Sequence, residues 1–208
     1  PEVRQSNGTF RLLSGADTST LDFMYPRNFI APDGRVFGYD SNGKMYYVNP
    51  TGTGTIASVG QFASSYRASD ASAAMFRPGR ILQFGGNSNG ALVIDISAGG
   101  TPVLTPTGSM SSQRRLVNAT VLPNGKVLAT GGSAVNNQLI DVNNSAEIWD
   151  PTTGTWTRGP DGQRARLYHS MSLLLPDGRV LVGGGGAPGP LANLNMEVYF
   201  PPYLYDAS

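Results

Sequence analysis

The sequence predicts an all-β chain built as a β-propeller, and three observations lead to that prediction. Glycine and proline, the usual turn residues, number 27 and 15 among 208 residues, about a fifth of the chain. Charged residues make up only 14% of the chain, whereas roughly 25% is usual for soluble domains. A hairpin motif recurs four times, and the 3.6-residue apolar period of a helix is missing. Many short strands joined by tight turns are therefore expected.

The recurring motif is an apolar run, a glycine-containing turn, a basic residue and a second apolar run. Its turn glycines are separated by 45, 46 and 53 residues: Gly34, Gly79, Gly125 and Gly178. Asp-Gly, Asn-Gly or Pro-Gly at the tip predicts a tight β-hairpin. A period of this length is typical of propeller blades rather than of helical repeats.

The repeats divide the chain into a half-blade and about four blades. We place the half-blade at 1–16 and the blades at about 24–60, 73–110, 114–160 and 166–205. Aromatic residues in the strand patterns are expected to form the core between blades: Tyr46, Tyr47, Trp149, Trp156, Tyr199 and Tyr203. Because a propeller protects its strand edges by closing a ring, the chain is expected to be a piece of a longer one.

Composition excludes several classes of function. A formal net charge of +1 provides no strong field for nucleic acid or acidic lipid. No segment approaches the length of apolar sequence that spans a membrane. With no cysteine and a single histidine, His169, these residues alone cannot build a disulfide framework, a zinc cluster or a histidine-rich metal site.

One segment, from Arg166 to Ser172, departs from its repeats. Arg114 lies nine residues before the turn proline of its unit, whereas Arg166 lies ten before Pro176. Neighbouring residues of a regular strand face opposite sides, so an extra residue predicts a bulge or a loop that turns Tyr168 and His169 toward a common point. An imidazole beside a phenol suits Cu(II) or Fe(III).

Other interpretations of this segment stay open on the residues alone. Arg166, His169 and Ser170 are also suited to satisfying backbone groups between blades. A Ser-His-Asp triad would need His169 with a distant serine and acid. Paired carboxylates for glycoside hydrolysis would have to come from turn residues such as Asp141 and Asp161.

The C-terminal part of the sequence resembles the kelch-type copper radical oxidases, the galactose oxidase and glyoxal oxidase family. The resemblance lies in the run from Arg166 to Val180, the four glycines after it and the Pro-Pro-Tyr-Leu-Tyr run that starts at Pro201. The resemblance implies a seven-bladed kelch propeller followed by an immunoglobulin-like domain, with 201–208 as the junction. It implies that Tyr168 and His169 bind copper (Cu2+), and that Tyr168 is also the catalytic base that takes the substrate hydroxyl proton. Tyr25-Pro26-Arg27 resembles a segment of glyoxal oxidases, which makes Arg27 a candidate substrate-binding residue, although packing at the start of a strand explains it as well.

The same resemblance implies a Cys-Tyr radical cofactor, a further histidine, O2 as oxidant and H2O2 as product. The residues of that cofactor and the further histidine are not among these 208. The expected function is therefore that of a fragment of a secreted or extracellular copper radical oxidase acting on primary alcohols or aldehydes of carbohydrate type, inactive by itself. The alternatives are a non-catalytic kelch propeller that binds glycan or protein partners, and a structural protein in which Tyr168 and His169 form a satisfied polar pair.

Overall fold

The computed structural model describes residues 1–186 and 188–205, and within these ranges the strands form five antiparallel sheets. The first sheet is a hairpin of β1 (Glu2–Arg4) and β2 (Phe10–Leu12). The next three sheets have four strands each, and the last has three. Every sheet pairs its strands in sequence order, as in a propeller.

The strands of the four larger sheets follow the hairpin repeats. The second sheet contains β3 (Arg27–Ile30), β4 (Val36–Tyr39), β5 (Lys44–Asn49) and β6 (Thr55–Gln61). The third contains β7 (Ser72–Arg77), β8 (Arg80–Phe84), β9 (Ala91–Asp95) and β10 (Val103–Thr107). The fourth contains β11 (Asn118–Val121), β12 (Val127–Thr130), β13 (Ser145–Asp150) and β14 (Thr155–Asp161). The fifth contains β15 (Ser170–Leu174), β16 (Val180–Gly184) and β17 (Met196–Tyr199). Short 3-10 turns occur at Ser64–Tyr66 and Pro202–Leu204.

The predicted hairpin tips are confirmed. In the first full repeat, Gly34 has φ +84° and donates its N–H to the Ala31 carbonyl at 2.9 Å. Asp33 accepts the Arg35 N–H at 3.0 Å and pairs with the Arg35 guanidinium at 2.6 Å. In this repeat the basic residue after the turn pairs with the turn aspartate, and glycine is needed because other residues avoid a positive φ.

The core lies between neighbouring sheets rather than inside one. Aromatic and aliphatic side chains of the second sheet pack on Ile81 and Ile94 of the third. Phe76 of the third sheet meets Trp149 of the fourth edge-on, with ring centroids 4.9 Å apart. Leu128 of the fourth packs with Val180 of the fifth. Face-to-face packing of successive sheets confirms the all-β propeller predicted from the repeats.

The first strands of successive sheets lie side by side, since β11 contacts both β7 and β15. Polar side chains join two of them: the Asn118 amide donates to Ser170 Oγ at 2.8 Å, and the hydroxyls of Thr120 and Ser172 are 2.6 Å apart. This arrangement brings the loops that precede these strands to one place. None of the described helices is long and apolar enough to cross a membrane.

Candidate metal and substrate site

The loop from Arg166 to Ser170 carries the Tyr-His pair ahead of β15 rather than within it. The Ser170 N–H donates to the Leu167 carbonyl at 2.9 Å, which closes a β-turn with His169 at its third position and φ +61°. The rings of Tyr168 and His169 are stacked, with centroids 3.7 Å apart and 28° between their planes. The turn therefore removes the alternation that would send these two side chains to opposite faces.

The extra residue of this repeat is not a strand bulge. Strands β15 and β16 pair from Ser170 with Gly184 to Leu174 with Val180 without a register shift. Counted back from the turn glycine, His169 corresponds to Leu116 of the preceding repeat. Arg166 precedes His169 by three positions, whereas Arg114 precedes Leu116 by two, so the additional residue lies between Arg166 and His169. Of the two possibilities left by the sequence, the loop is correct and the bulge is wrong.

Neighbouring backbone holds this loop in place. Gly132 N–H donates to the Arg166 carbonyl at 2.8 Å, and Gly186 N–H donates to the Tyr168 carbonyl at 2.7 Å. Arg166 is buried and donates to the carbonyls of Gly184 and Asn195 at 3.0 Å each. Arg166 thus satisfies neighbouring backbone carbonyls, and Tyr168 and His169 are carried by a loop that these bonds hold in place.

A cavity of about 570 Å³ lies in front of the pair, and Tyr168, His169, Tyr25 and Arg27 all line it. The hydroxyls of Tyr25 and Tyr168 are 3.2 Å apart, although 143 residues separate them in sequence. Tyr168 is half-buried, whereas His169 and Tyr25 are exposed. The loop preceding β3 therefore meets the loop preceding β15 across the cavity.

The Arg27 side chain stabilises this wall by binding backbone carbonyl groups of the loops around it. Its guanidinium donates to the carbonyls of Tyr25, Ser69 and Ala71, the second at 3.2 Å. These bonds tie the loop before β3 to the loop before β7. Packing at a strand start, the second interpretation of Arg27, accounts for those contacts, and its position in the wall keeps it near any bound molecule.

The cavity also contains Asp70 and Leu116, which the sequence analysis did not select. One residue of each hairpin repeat, nine positions before its turn glycine, lines the cavity; we call these the slot residues: Tyr25, Asp70, Leu116 and His169. Three of the four, all but Asp70, have a positive φ. Counting back from the turn glycine would have identified all four, because the hairpin sets the distance to the loop.

Leu116 and Asp70 hold each other's loops. Leu116 has φ +60°, an uncommon and strained value for a leucine, and donates its N–H to the Asp70 carbonyl at 2.9 Å. The Asp70 carboxylate pairs with Arg115 at 2.8 Å through Oδ2, which also accepts the Asn136 amide. These bonds keep the strained loop in place.

The hydrogen bond with Tyr25 raises the pKa of the Tyr168 phenol above its ordinary value. We expect Tyr25→Phe to lower that pKa toward its ordinary value, because a bond that favours the protonated phenol is lost. The titration of Tyr168, followed by NMR of labelled tyrosines, will then begin at a lower pH. Tyr205→Phe, outside the cavity, should leave it unchanged, and an unmoved Tyr168 curve in Tyr25→Phe would show that the hydroxyl pair is not formed.

Comparison with known proteins assigns a family to this fold and site. A kelch motif profile matches residues 118–163, the region of strands β11 to β14. The chain is 31% identical over 195 residues to galactose oxidase of Gibberella zeae, which covers 84% of this chain. The chain belongs to the kelch-type copper radical oxidase family. It is also 30% identical over 118 residues to aldehyde oxidase GLOX1 of Arabidopsis thaliana, covering 47% of this chain.

The fold of this family member agrees with that of a solved relative. The structure of a fungal alcohol oxidase of the AA5 family in complex with copper covers 99% of this chain with a TM-score of 0.87 and 23% identity. The chain spans 48% of that solved chain, 29% of the galactose oxidase and 18% of the aldehyde oxidase.

Proposed function

We propose that this chain is the part of a secreted copper radical oxidase that supplies two copper donors and one wall of the substrate cavity. The proposed reaction converts a primary alcohol and O2 into an aldehyde and H2O2, or an aldehyde, water and O2 into a carboxylic acid and H2O2. The proposed substrates are small alcohols, aldehydes or sugars. The observation that carries the proposal is the stacked Tyr168-His169 pair at the edge of the cavity.

The chemistry of the two donors fits copper. A phenol oxygen and an imidazole nitrogen are ligands of the kind that Cu(II) accepts. Within residues 1–186 and 188–205 there is no group of three or more His, Cys, Asp or Glu side chains suited to a metal. Tyr168 and His169 therefore form half of a site, and we propose that residues beyond this chain provide the remaining ligands and the Cys-Tyr cofactor.

Bound copper together with the modified tyrosine would supply the one-electron redox chemistry that side chains lack. The residues of this chain have simpler roles. As the phenolate that would bind copper, Tyr168 Oη takes the proton of the substrate hydroxyl and becomes a neutral phenol. The Tyr25 hydroxyl, 3.2 Å away, forms a hydrogen bond with that oxygen. Arg27 in the cavity wall orients the oxygen atoms of the substrate.

The test uses the full-length protein that contains this sequence, loaded with Cu(II). Peroxide release is measured on sugars, primary alcohols and aldehydes, and bound copper is measured separately. We expect His169→Ala to lose copper and to release peroxide at least about 100-fold more slowly. Mutation of a residue that only hydrogen-bonds to a metal ligand already lowers metal affinity or activity by about 10–100-fold. Tyr205→Phe serves as the control and should behave as the wild type.

Each outcome assigns a function. Peroxide from the wild type that disappears in His169→Ala supports the oxidase and the role of His169. A folded, copper-treated protein that releases no peroxide on any substrate contradicts the oxidase and favours the binding propeller. Thermal stability that does not change with excess Cu(II) favours the structural role for the Tyr-His pair.

A further inference from the structure

Three Asn-X-Ser/Thr sequences occur in the chain, and a sequence of this kind is the acceptor for N-linked oligosaccharide in a secreted protein. They begin at Asn7, Asn118 and Asn143. Matches this short also occur by chance, so the sequence alone does not distinguish the three. The folded structure distinguishes them, because a sugar needs an asparagine amide nitrogen that is open to solvent.

Asn118 and Asn143 use their amide nitrogens inside the fold. Asn118 Nδ2 donates to Ser170 Oγ at 2.8 Å, where β11 lies beside β15. Asn143 Nδ2 donates to Ser112 Oγ at 2.8 Å, and the hydroxyl residue of that sequence, Ser145, is buried. Both asparagines are half-buried. A sugar bonded to either nitrogen would have to fit between the two segments that this hydrogen bond holds together.

Asn7, by contrast, lies at the exposed tip of the hairpin formed by β1 and β2. Its Oδ1 accepts the Thr9 N–H at 3.0 Å and is 2.7 Å from Thr9 Oγ1. The amide and the hydroxyl that define the acceptor sequence are therefore adjacent, and Thr9 is exposed as well. Among residues 1–186 and 188–205, none accepts a hydrogen bond from Asn7 Nδ2.

The repeat predicts that this tip stays exposed when further blades precede it. The turns between the third and fourth strands of the four-stranded sheets also contain a glycine with positive φ: Gly54, Gly99 and Gly154. The residue before that glycine, equivalent to Asn7, is exposed in each sheet: Thr53, Ala98 and Thr153. A preceding blade contacts two of these turns, since Gly15 N–H donates to the Thr53 carbonyl at 2.9 Å and Gly108 N–H to the Gly154 carbonyl at 2.8 Å. The preceding blade thus binds the turn backbone and leaves this side chain in solvent.

We propose that Asn7 is an N-glycosylation site of the full-length protein and that Asn118 and Asn143 stay unmodified. Asn7 Nδ2 loses a proton and bonds to the anomeric carbon of an oligosaccharide carried on a lipid diphosphate. The bond from that carbon to the diphosphate oxygen breaks, and the lipid diphosphate leaves. This inference rests on the secretion in the proposed function and not on its copper chemistry.

The sugar at Asn7 is expected to lie far from the cavity. Antiparallel strands reverse direction at every turn, so the turn between the third and fourth strands lies at the end of a blade opposite to the loop before the first strand. The cavity is lined by those loops before the first strands. Glycosylation of Asn7 should therefore leave peroxide release unchanged.

The test is peptide mass spectrometry of the full-length protein secreted by a eukaryotic host. Enzymatic removal of the sugar in heavy-oxygen water converts a glycosylated asparagine into an aspartate that carries the heavy isotope. A sample kept in the same water without the enzyme corrects for spontaneous deamidation, to which an Asn-Gly pair is prone. We expect the isotope at Asn7 and neither at Asn118 nor at Asn143.

Variants at equivalent turns make the test specific. Thr9→Ala keeps Asn7 but removes the hydroxyl, so it should lose the sugar completely, whereas Thr9→Ser should keep it. Thr53→Ala, in the equivalent exposed turn of the second sheet, is the matched control and should also keep the sugar. Thr153→Asn places the sequence Asn-Gly-Thr in the same turn of the fourth sheet and should add a second sugar. Copper-loaded Thr9→Ala should release peroxide at the wild-type rate.

Each outcome bears on either the site or the proposed function. A secreted protein without the isotope at Asn7 overturns the proposal and leaves the oxidase intact, and this result decides even if Thr9→Ala does not fold. The isotope at Asn118 or Asn143 overturns their exclusion, and Thr153→Asn without a second sugar contradicts the exposure of the turn. A protein retained in the cell contradicts the secretion, and the same protein produced with an added signal peptide then decides the Asn7 proposal alone.

Discussion

Glu147→Gln is expected to lower the free energy of unfolding by about 3–5 kcal/mol, the range for breaking a buried ion pair. Glu147 pairs with Arg114, and the two side chains are 2% and 0% exposed. Burial lowers the pKa of the Arg114 guanidinium, and the nearby carboxylate opposes that shift. Loss of the carboxylate charge leaves Arg114 charged in a fully buried site.

The remaining contacts make this pair hard to replace. Glu147 also accepts from the Ser111 N–H and hydroxyl, each at 2.9 Å, and Arg114 donates to the Ser145 carbonyl at 2.9 Å. Urea unfolding of the full-length protein measures the loss. The exposed pair of Arg158 and Asp161, with side chains 62% and 57% exposed, is the control, and Asp161→Asn should cost less than about 1 kcal/mol. Equal losses in the two variants would contradict the assignment of stability to the buried pair.

Gly131→Ala is expected to cost about 2–4 kcal/mol and to weaken copper binding as well. Gly131 has φ +71°, and a β-carbon there would lie 2.5 Å from the Arg166 carbonyl oxygen. Since Arg166 begins the loop that carries Tyr168 and His169, the clash moves the proposed copper donors.

Gly125→Ala separates the two causes. Gly125 also has a positive φ, +79°, but a β-carbon there meets no atom within 4 Å. Its cost should be the backbone strain alone, about 1–2 kcal/mol, with copper binding unchanged. Copper titration followed by thermal unfolding measures both quantities, and a Gly131→Ala protein that binds copper as tightly as Gly125→Ala would refute the coupling between blades.

The hairpins and the inter-sheet core were predictable because both depend on local patterns. A glycine after an aspartate between two apolar runs specifies a turn by itself, as at Gly34 and Gly178. Trp149 is buried between sheets, as its strand pattern predicted. The Tyr168-His169 pair was found because it departs from its own repeat.

Spacing from the turn glycine locates the four slot residues, but which of them meet across the cavity was not predictable from local pattern. Tyr25 meets Tyr168 only because the propeller brings the loops before β3 and β15 together. Asp70 resembles any loop aspartate until its unpartnered oxygen and its place in the cavity are known. Contacts between residues that are distant in sequence depend on how the blades are arranged around the axis, and no spacing within one repeat encodes that arrangement.

The slot residues lie outside the strand ladders, one to two positions before the first strand of each larger sheet. Their side chains contribute little to the pairing that holds a blade together. A single amino-acid replacement at Tyr25 or Leu116 therefore alters the chemistry offered to a bound molecule while the strand ladders persist, whereas the Asp70 side chain also holds its loop through the ion pair with Arg115. For the proposed reaction, new substrate preferences can arise one blade at a time, and libraries that randomise Tyr25 and Leu116, while keeping the proposed copper donor His169 and the ion-paired Asp70, are a direct route to variants with altered selectivity.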